Sequence, residues 1–233
     1  GWVLELTPQE GPPMWHNSID VLAAIHGSDW QALGLDFLDT TANGSGLDAQ
    51  LADCRATFAW AAEGEPNPTI EYALDWLDAN KPADEGPKVL NWGDARVGNL
   101  IFDENLDVAA VLDWEMVGLG SRELDLGWWL FLMRHHTEGI GLPLPEGIPS
   151  AEQTVERYRS RAGYTPTNLH YYEVLAATKL SWLMVRAAHL MIAAGLLPPD
   201  SPMALSNPAS QLLAKLLDQP APTGQTTSFI GNR

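Results

Sequence analysis

Cysteine is nearly absent: Cys54 is the single one among 233 residues. That excludes an intramolecular disulfide framework or a cysteine-built zinc cluster, suits a reducing compartment, and leaves Cys54 as a small core residue. Basic residues are also scarce. Thirteen Lys and Arg stand against 30 Asp and Glu, a formal net charge of -17, and such a field repels phosphodiester backbones and anionic lipid headgroups. It attracts Mg²⁺ and cationic small molecules, while its plainer reading is a solubilising surface. Long apolar runs are missing too: no stretch of about 18 uninterrupted apolar residues occurs, and residues 1–6 carry no basic segment ahead of an apolar one. The expectation is a soluble, cytoplasmic chain with neither nucleic acid nor membrane as a partner.

What is present is helical periodicity around a short β-rich centre. Met14, Ile19, Leu22, Ala23 and Ile25 recur at helical spacing over residues 12–26 and stop at Gly27. Residues 47–62 and 68–79 read the same way, separated by the proline-bearing 64–68 segment. The period then changes: residues 88–92, 99–103 and 107–113 are short and rich in β-branched or aromatic side chains, and they read as strands, the last two as a hairpin. Helices are expected again over 122–136, over 151–162 behind a Ser150/Gln153 capping box, over 167–195 and over 208–217. The fold class is α+β, mostly helical. One unit is expected over 1–218, with its core at 88–136 and a helical acceptor-binding part from 12–80 and 150–217, followed by a polar, Pro/Gly-rich flexible tail at 219–233.

The chemistry concentrates between residues 91 and 125. Asp94 precedes Asn99 by five positions in a strand-loop-strand setting, and Asp113 closes the hairpin that Asn99 opens, so Asn99 and Asp113 are expected to face each other. Two such oxygen donors suit a hard cation such as Mg²⁺. Asp94, on the loop before them, is then the candidate base for an acceptor proton. A catalytic-loop Asp, an Asn five residues on and a later Asp are the order in which kinases place a base and two metal ligands.

The segment Asn91-Trp-Gly-Asp-Ala-Arg-Val-Gly-Asn, with Asp113-Trp-Glu after it, resembles the aminoglycoside phosphotransferase and choline-kinase-like family. That family's catalytic loop reads His-Gly-Asp-x-x-x-Gly-Asn, and its metal-binding Asp lies in an Asp-aromatic-Glu triplet. Residues 22–27, 29–35 and 65–71 resemble the actinobacterial and acyl-CoA-dehydrogenase-associated branch, so the likeness spans roughly residues 15–200. The resemblance implies the C-terminal lobe of a protein-kinase-like fold, with ATP or GTP as phosphoryl donor, Mg²⁺ as cofactor and a small hydroxylated, in one version cationic, acceptor. It makes Asp94 the catalytic residue, Asn99 and Asp113 the metal ligands, and Asp125 a structural acid that holds the catalytic loop. Arg96 either neutralises phosphate or pairs with a nearby acid, and Glu115 lies near the phosphates. Trp182 and Arg186, one helical turn apart, fall where this family builds its acceptor pocket.

Two departures from the family pattern stand out. Trp92 replaces the loop histidine, which keeps a flat ring and is expected to remove a hydrogen-bonding nitrogen. No Gly-x-Gly-x-x-Gly loop or Val-Ala-Ile-Lys-like strand is present, so the nucleotide-clamping N-terminal lobe is expected to be absent from this chain, which alone would bind nucleotide poorly. That leaves a non-catalytic kinase-like module as the rival reading, and a metal-dependent hydrolase using Asp94 and Asp113 as a third. Elsewhere, His26 reads as a helix cap, His135 and His136 as a helix-end pair, and Trp60, Trp76, Trp128 and Trp129 as core.

Overall fold

Proline in the first turn, where its missing N–H costs nothing, opens three helices: α1 (Gly11–His26), α3 (Pro68–Ala79) and α7 (Pro208–Leu216). Asn67 caps α3 by accepting the Ile70 N–H at 3.2 Å, and Asn207 caps α7 by accepting from Ala209 and Ser210. The remaining helices are α2 (Leu47–Ala62), α4 (Glu123–His135), α5 (Ala151–Ala162) and α6 (Leu169–Ala193). α5 opens with the reciprocal Ser150/Gln153 capping box that its sequence announces. The computed structural model describes residues 5–39 and 46–224.

Four short strands sit between α3 and α4: β1 (Val89–Asn91), β2 (Leu100–Phe102), β3 (Val108–Val111) and β4 (Gly118–Gly120). β2 and β3 form the expected hairpin, with Leu100 opposite Val111 and an irregularity between Ile101 and Phe102. β1 pairs antiparallel with β4, Val89 opposite Gly120 and Asn91 opposite Gly118. β4 was not expected, because two glycines in three residues carry little β-propensity and the strand exists through its partner. Among the described residues no strand precedes α1.

The core is organised on α6, whose 25 residues span about 37 Å and pack against α2, α3, α4 and α7. α4 comes closest at Gly127, where a Cβ would lie 2.6 Å from the Tyr172 backbone, so glycine there lets the helices meet. On the other side α1 packs against α5, with Trp15 edge-on to Trp129 and its indole N–H donating to Thr154 at 2.9 Å. Cys54, Trp128 and Trp129 are buried, as expected of core residues. Trp60 is not: it is 57% exposed, and the Arg186 guanidinium lies over its ring at 4.5 Å, so contact with a cation replaces contact with the core. Of the C-terminal stretch, Pro222 accepts a hydrogen bond from Gln211 at 2.7 Å, and residues 225–233 lie outside the described residues. Among the described residues no helix is long and apolar enough to cross a membrane.

Candidate active site

The loop from Trp92 to Asn99 leaves β1 and enters β2, and its geometry begins with Gly93. Gly93 holds φ +93°, and a Cβ on it would fall 2.2 Å from the Met116 carbonyl oxygen. Only glycine allows that turn against the segment before β4. Beneath the turn lies Asp125, in the first turn of α4 and 1% exposed. Its carboxylate accepts the backbone N–H of Trp92 at 2.7 Å and of Gly93 at 2.8 Å, so a buried acid is stabilised by the loop it shapes.

Asp125 is itself held from behind. His26 Nε2 lies 3.0 Å from Asp125 Oδ2, and His26 Nδ1 lies 2.6 Å from the Tyr158 hydroxyl. Burial pushes the Tyr158 phenol well above its ordinary value. The Asp125 carboxylate, already accepting two backbone N–H groups, takes a further hydrogen bond from Nε2, while Nδ1 and the Tyr158 hydroxyl share the other. His26 is therefore no helix cap: its ring links α5 through α1 to α4 and the loop. The sequence offered only a histidine at a helix end, with no hint of partners 99 and 132 positions away.

Asp94 is the acid around which the loop converges. Its Oδ1 accepts the indole N–H of Trp128 at 2.8 Å, and its Oδ2 accepts from Arg96 Nε at 2.9 Å and from Asn99 Nδ2 at 2.6 Å. Arg96 thus forms an ion pair with Asp94. Trp128 was read as core only. Its position three residues after Asp125, hence on the same face of α4, was the signal that it also approaches the loop.

The structure brings Asp94, Arg96, Asn99, Trp92, Asp125 and Trp128 together, and treats the hairpin end differently from expectation. Leu112 N–H donates to the Asn99 carbonyl at 2.9 Å, so the residue across from Asn99 is Leu112, and Asp113 follows one position later. The register set by Leu100 opposite Val111 causes that offset. Asp113 is exposed at φ +62°, a left-handed conformation that aspartate tolerates at some cost. Asn99 spends its Nδ2 on Asp94, at Oδ2 and at the backbone carbonyl, and its Oδ1 takes no hydrogen bond among the described residues. An exposed carboxylate and a free amide oxygen are hard donors of the kind Mg²⁺ takes, with water and phosphate oxygens completing the shell. Glu115 is exposed in the same segment.

Trp92 also differs from expectation. Its ring is 1% exposed and its Nε1–H donates to the Leu112 carbonyl at 2.8 Å, so a hydrogen-bonding nitrogen still ties the loop to the end of β3. Trp182 and Arg186 fall three and seven positions beyond Lys179 on α6. Arg186 pairs with Glu63, and the buried Trp182 Nε1 has no partner among the described residues.

A family model for the phosphotransferase enzyme family matches residues 2–166. Acyl-CoA dehydrogenase family member 11 of Rattus norvegicus is 26% identical over 185 residues, covering 76% of this chain and 23% of that protein. Acyl-CoA dehydrogenase family member 10 of Mus musculus is 32% identical over 178 residues, covering 72% of this chain and 16% of that protein. The chain thus spans less than a quarter of the length of these curated relatives. Among solved structures, one described as a candidate aminoglycoside phosphotransferase from Ralstonia eutropha JMP134 superposes with a TM-score of 0.76 at 22% identity, over 91% of this chain and 67% of the other. A choline/ethanolamine kinase family protein from Mesorhizobium loti gives 0.55 at 15% identity, over 92% and 67%. At such identities these likenesses show the fold.

Proposed function

The chain belongs to the phosphotransferase enzyme family, and on that premise we propose that it transfers the γ-phosphoryl group of ATP or GTP to a hydroxyl of a small molecule. The observation that carries this reading is the set of donors around Asp94. A carboxylate offers about four lone-pair positions, two on each oxygen. Arg96 and Asn99 occupy Oδ2 and Trp128 takes one position on Oδ1. The position left on Oδ1 is where an acceptor hydroxyl would bind.

In this mechanism the acceptor oxygen bonds to the γ-phosphorus while the bond from phosphorus to the bridging oxygen breaks. The nucleoside diphosphate leaves with that electron pair, and the acceptor proton passes to Asp94. Asn99 Oδ1 and Asp113 would hold Mg²⁺, which when bound neutralises charge on the phosphates. The protein's own contribution is placement: Trp128, Arg96 and Asn99 fix the carboxylate, and Asp125 fixes the backbone that carries it.

A screen of hydroxylated acceptors with the full-length protein, Mg²⁺ and ATP or GTP tests the reading, with Asp94→Asn as control. The expected result is acceptor-dependent nucleoside diphosphate formation that falls at least ~100-fold in the control. Equal phosphate release with and without acceptor would favour a hydrolase, and no turnover with any acceptor a binding module.

A further inference from the structure

Lys179 stands apart among the cations of this acidic chain. Every other described Lys or Arg except Arg122 has a carboxylate within ion-pair reach, and Arg122 lies over the Tyr164 ring and donates to the His26 carbonyl. Lys179 instead donates to the neutral amide oxygen of Gln50 at 2.7 Å. Both residues line a cavity of about 60 Å³ whose walls also include Asn91, Gly93, Asp125, Trp128 and Tyr172, the Asp125 oxygens being already engaged by Trp92, Gly93 and His26. Asn91 is 4% exposed and donates its Nδ2 to the Ser121 carbonyl, yet its buried Oδ1 has no hydrogen-bond partner.

Among the described residues, an ammonium with no ion-pair partner and a buried carbonyl oxygen with no donor belong to the lining of one partly open cavity. Buried polar atoms are normally satisfied, so this pair marks a place for a ligand or for ordered water. The cavity adjoins the reactive loop: Gly93 precedes Asp94, and Trp128 donates to the Asp94 oxygen that keeps a vacant lone pair. Lys179 is the only cation in its lining, set against one carboxylate, Asp125.

Resting on the phosphotransferase reading above, we infer that this cavity is the subsite for an oxyanion on the acceptor, so that the acceptor class is hydroxylated molecules carrying a carboxylate or phosphate rather than polycations. Lys179 binds the oxyanion, Asn91 Oδ1 accepts a further O–H or N–H of the same ligand, and the reacting hydroxyl reaches Asp94 past Trp128. A space of this size admits roughly four water-sized groups, enough for a carboxylate or phosphate end.

The test measures equilibrium binding by calorimetry, independently of turnover. The probes are linear hydroxy acids of graded chain length, the matching hydroxyalkyl phosphates, and the neutral hydroxyamides. The wild type is expected to bind at least one anionic series and to prefer it to the amides by roughly tenfold or more, the range of a charge-assisted hydrogen bond. Lys179→Met should erase that preference and Lys179→Arg should retain it, with circular dichroism confirming both folds. Where an anionic probe is also phosphorylated, Lys179→Met should raise its KM and leave kcat within a few-fold. Amides binding as well as acids, a preference that survives Lys179→Met, or a cavity that takes water only would overturn the inference. Loss of the charge preference with Asp94-dependent transfer intact would leave the phosphotransferase reading standing, whereas anion binding without transfer would sink that reading and spare the subsite as a binding site.

Discussion

The indole N–H of Trp128 and the Oδ1 atom of Asp94 are 2.8 Å apart, and the residue three positions earlier on the same helix, Asp125, grips the loop that carries Asp94. One turn of α4 thus holds both the backbone and the acid of the candidate loop. Trp128→Phe keeps an aromatic ring, removes the donor and leaves a small void at a buried position. Steady-state kinetics should show kcat falling about 10- to 100-fold, the worth of one hydrogen bond to a charged group, alongside a lower thermal midpoint.

Asp125→Asn replaces an acceptor-only carboxylate with an amide that offers one acceptor oxygen. Either the Trp92 or the Gly93 N–H then loses its partner in a buried setting. A loss of about 1–3 kcal/mol is expected from urea unfolding, with activity reduced because the loop relaxes. An unchanged midpoint would mean that water or another acceptor replaces the carboxylate.

Gly93→Ala combines a positive φ with a Cβ placed 2.2 Å from the Met116 carbonyl oxygen. The backbone conformation alone costs about 1–3 kcal/mol in a residue with a Cβ, and the contact forces β1 and the segment before β4 apart. Denaturant titration should show a lower midpoint, and acceptor-dependent turnover should fall with it.

Asp113→Asn keeps the size of the side chain and removes its charge at an exposed position. The Mg²⁺ concentration for half-maximal activity is expected to rise about tenfold or more, with unfolding stability nearly unchanged. A magnesium requirement equal to that of the wild type would remove Asp113 from the metal site.

Acid should destabilise the fold through His135. Burial, and then the charge of His136, lower its pKa from 6.5 to about 4. The unfolded chain therefore binds a proton between those values that the folded chain refuses, so the contribution is fully present above about pH 6.5 and is lost as pH falls towards 4, up to about 3 kcal/mol. Chemical denaturation at pH 7 and pH 4.5 should show the drop, and His135→Phe should flatten it.

The helices were legible because their signals are local: apolar spacing, first-turn prolines and the Ser150/Gln153 box need no knowledge of the rest of the chain. The β2–β3 hairpin was legible for the same reason. β4 was not, since Gly118–Gly120 becomes a strand only where β1 lies beside it. At the candidate site, the order Asp94, Asn99, Asp113 singled out the loop, while the contacts that support that loop come from distant elements. Trp128 looked like any aromatic on an apolar helix, His26 and Tyr158 meet across 132 positions, and Lys179 was one more cation until its partner proved to be an amide. The register also moved by one residue, placing Leu112 rather than Asp113 opposite Asn99.

The double grip of α4 on its neighbouring loop bears on how the molecule would work in motion. Because Asp125 and Trp128 belong to one helix packed on α6, Asp94 is tied to that helix at two points, and under the proposed transfer its aim would follow α4. Opening and closing around substrates would then fall to the parts α4 does not hold, among them the exposed stretch from Asp113 to Met116. Mutations that soften α4 should scatter the acid's orientation and blur turnover even when substrates still bind.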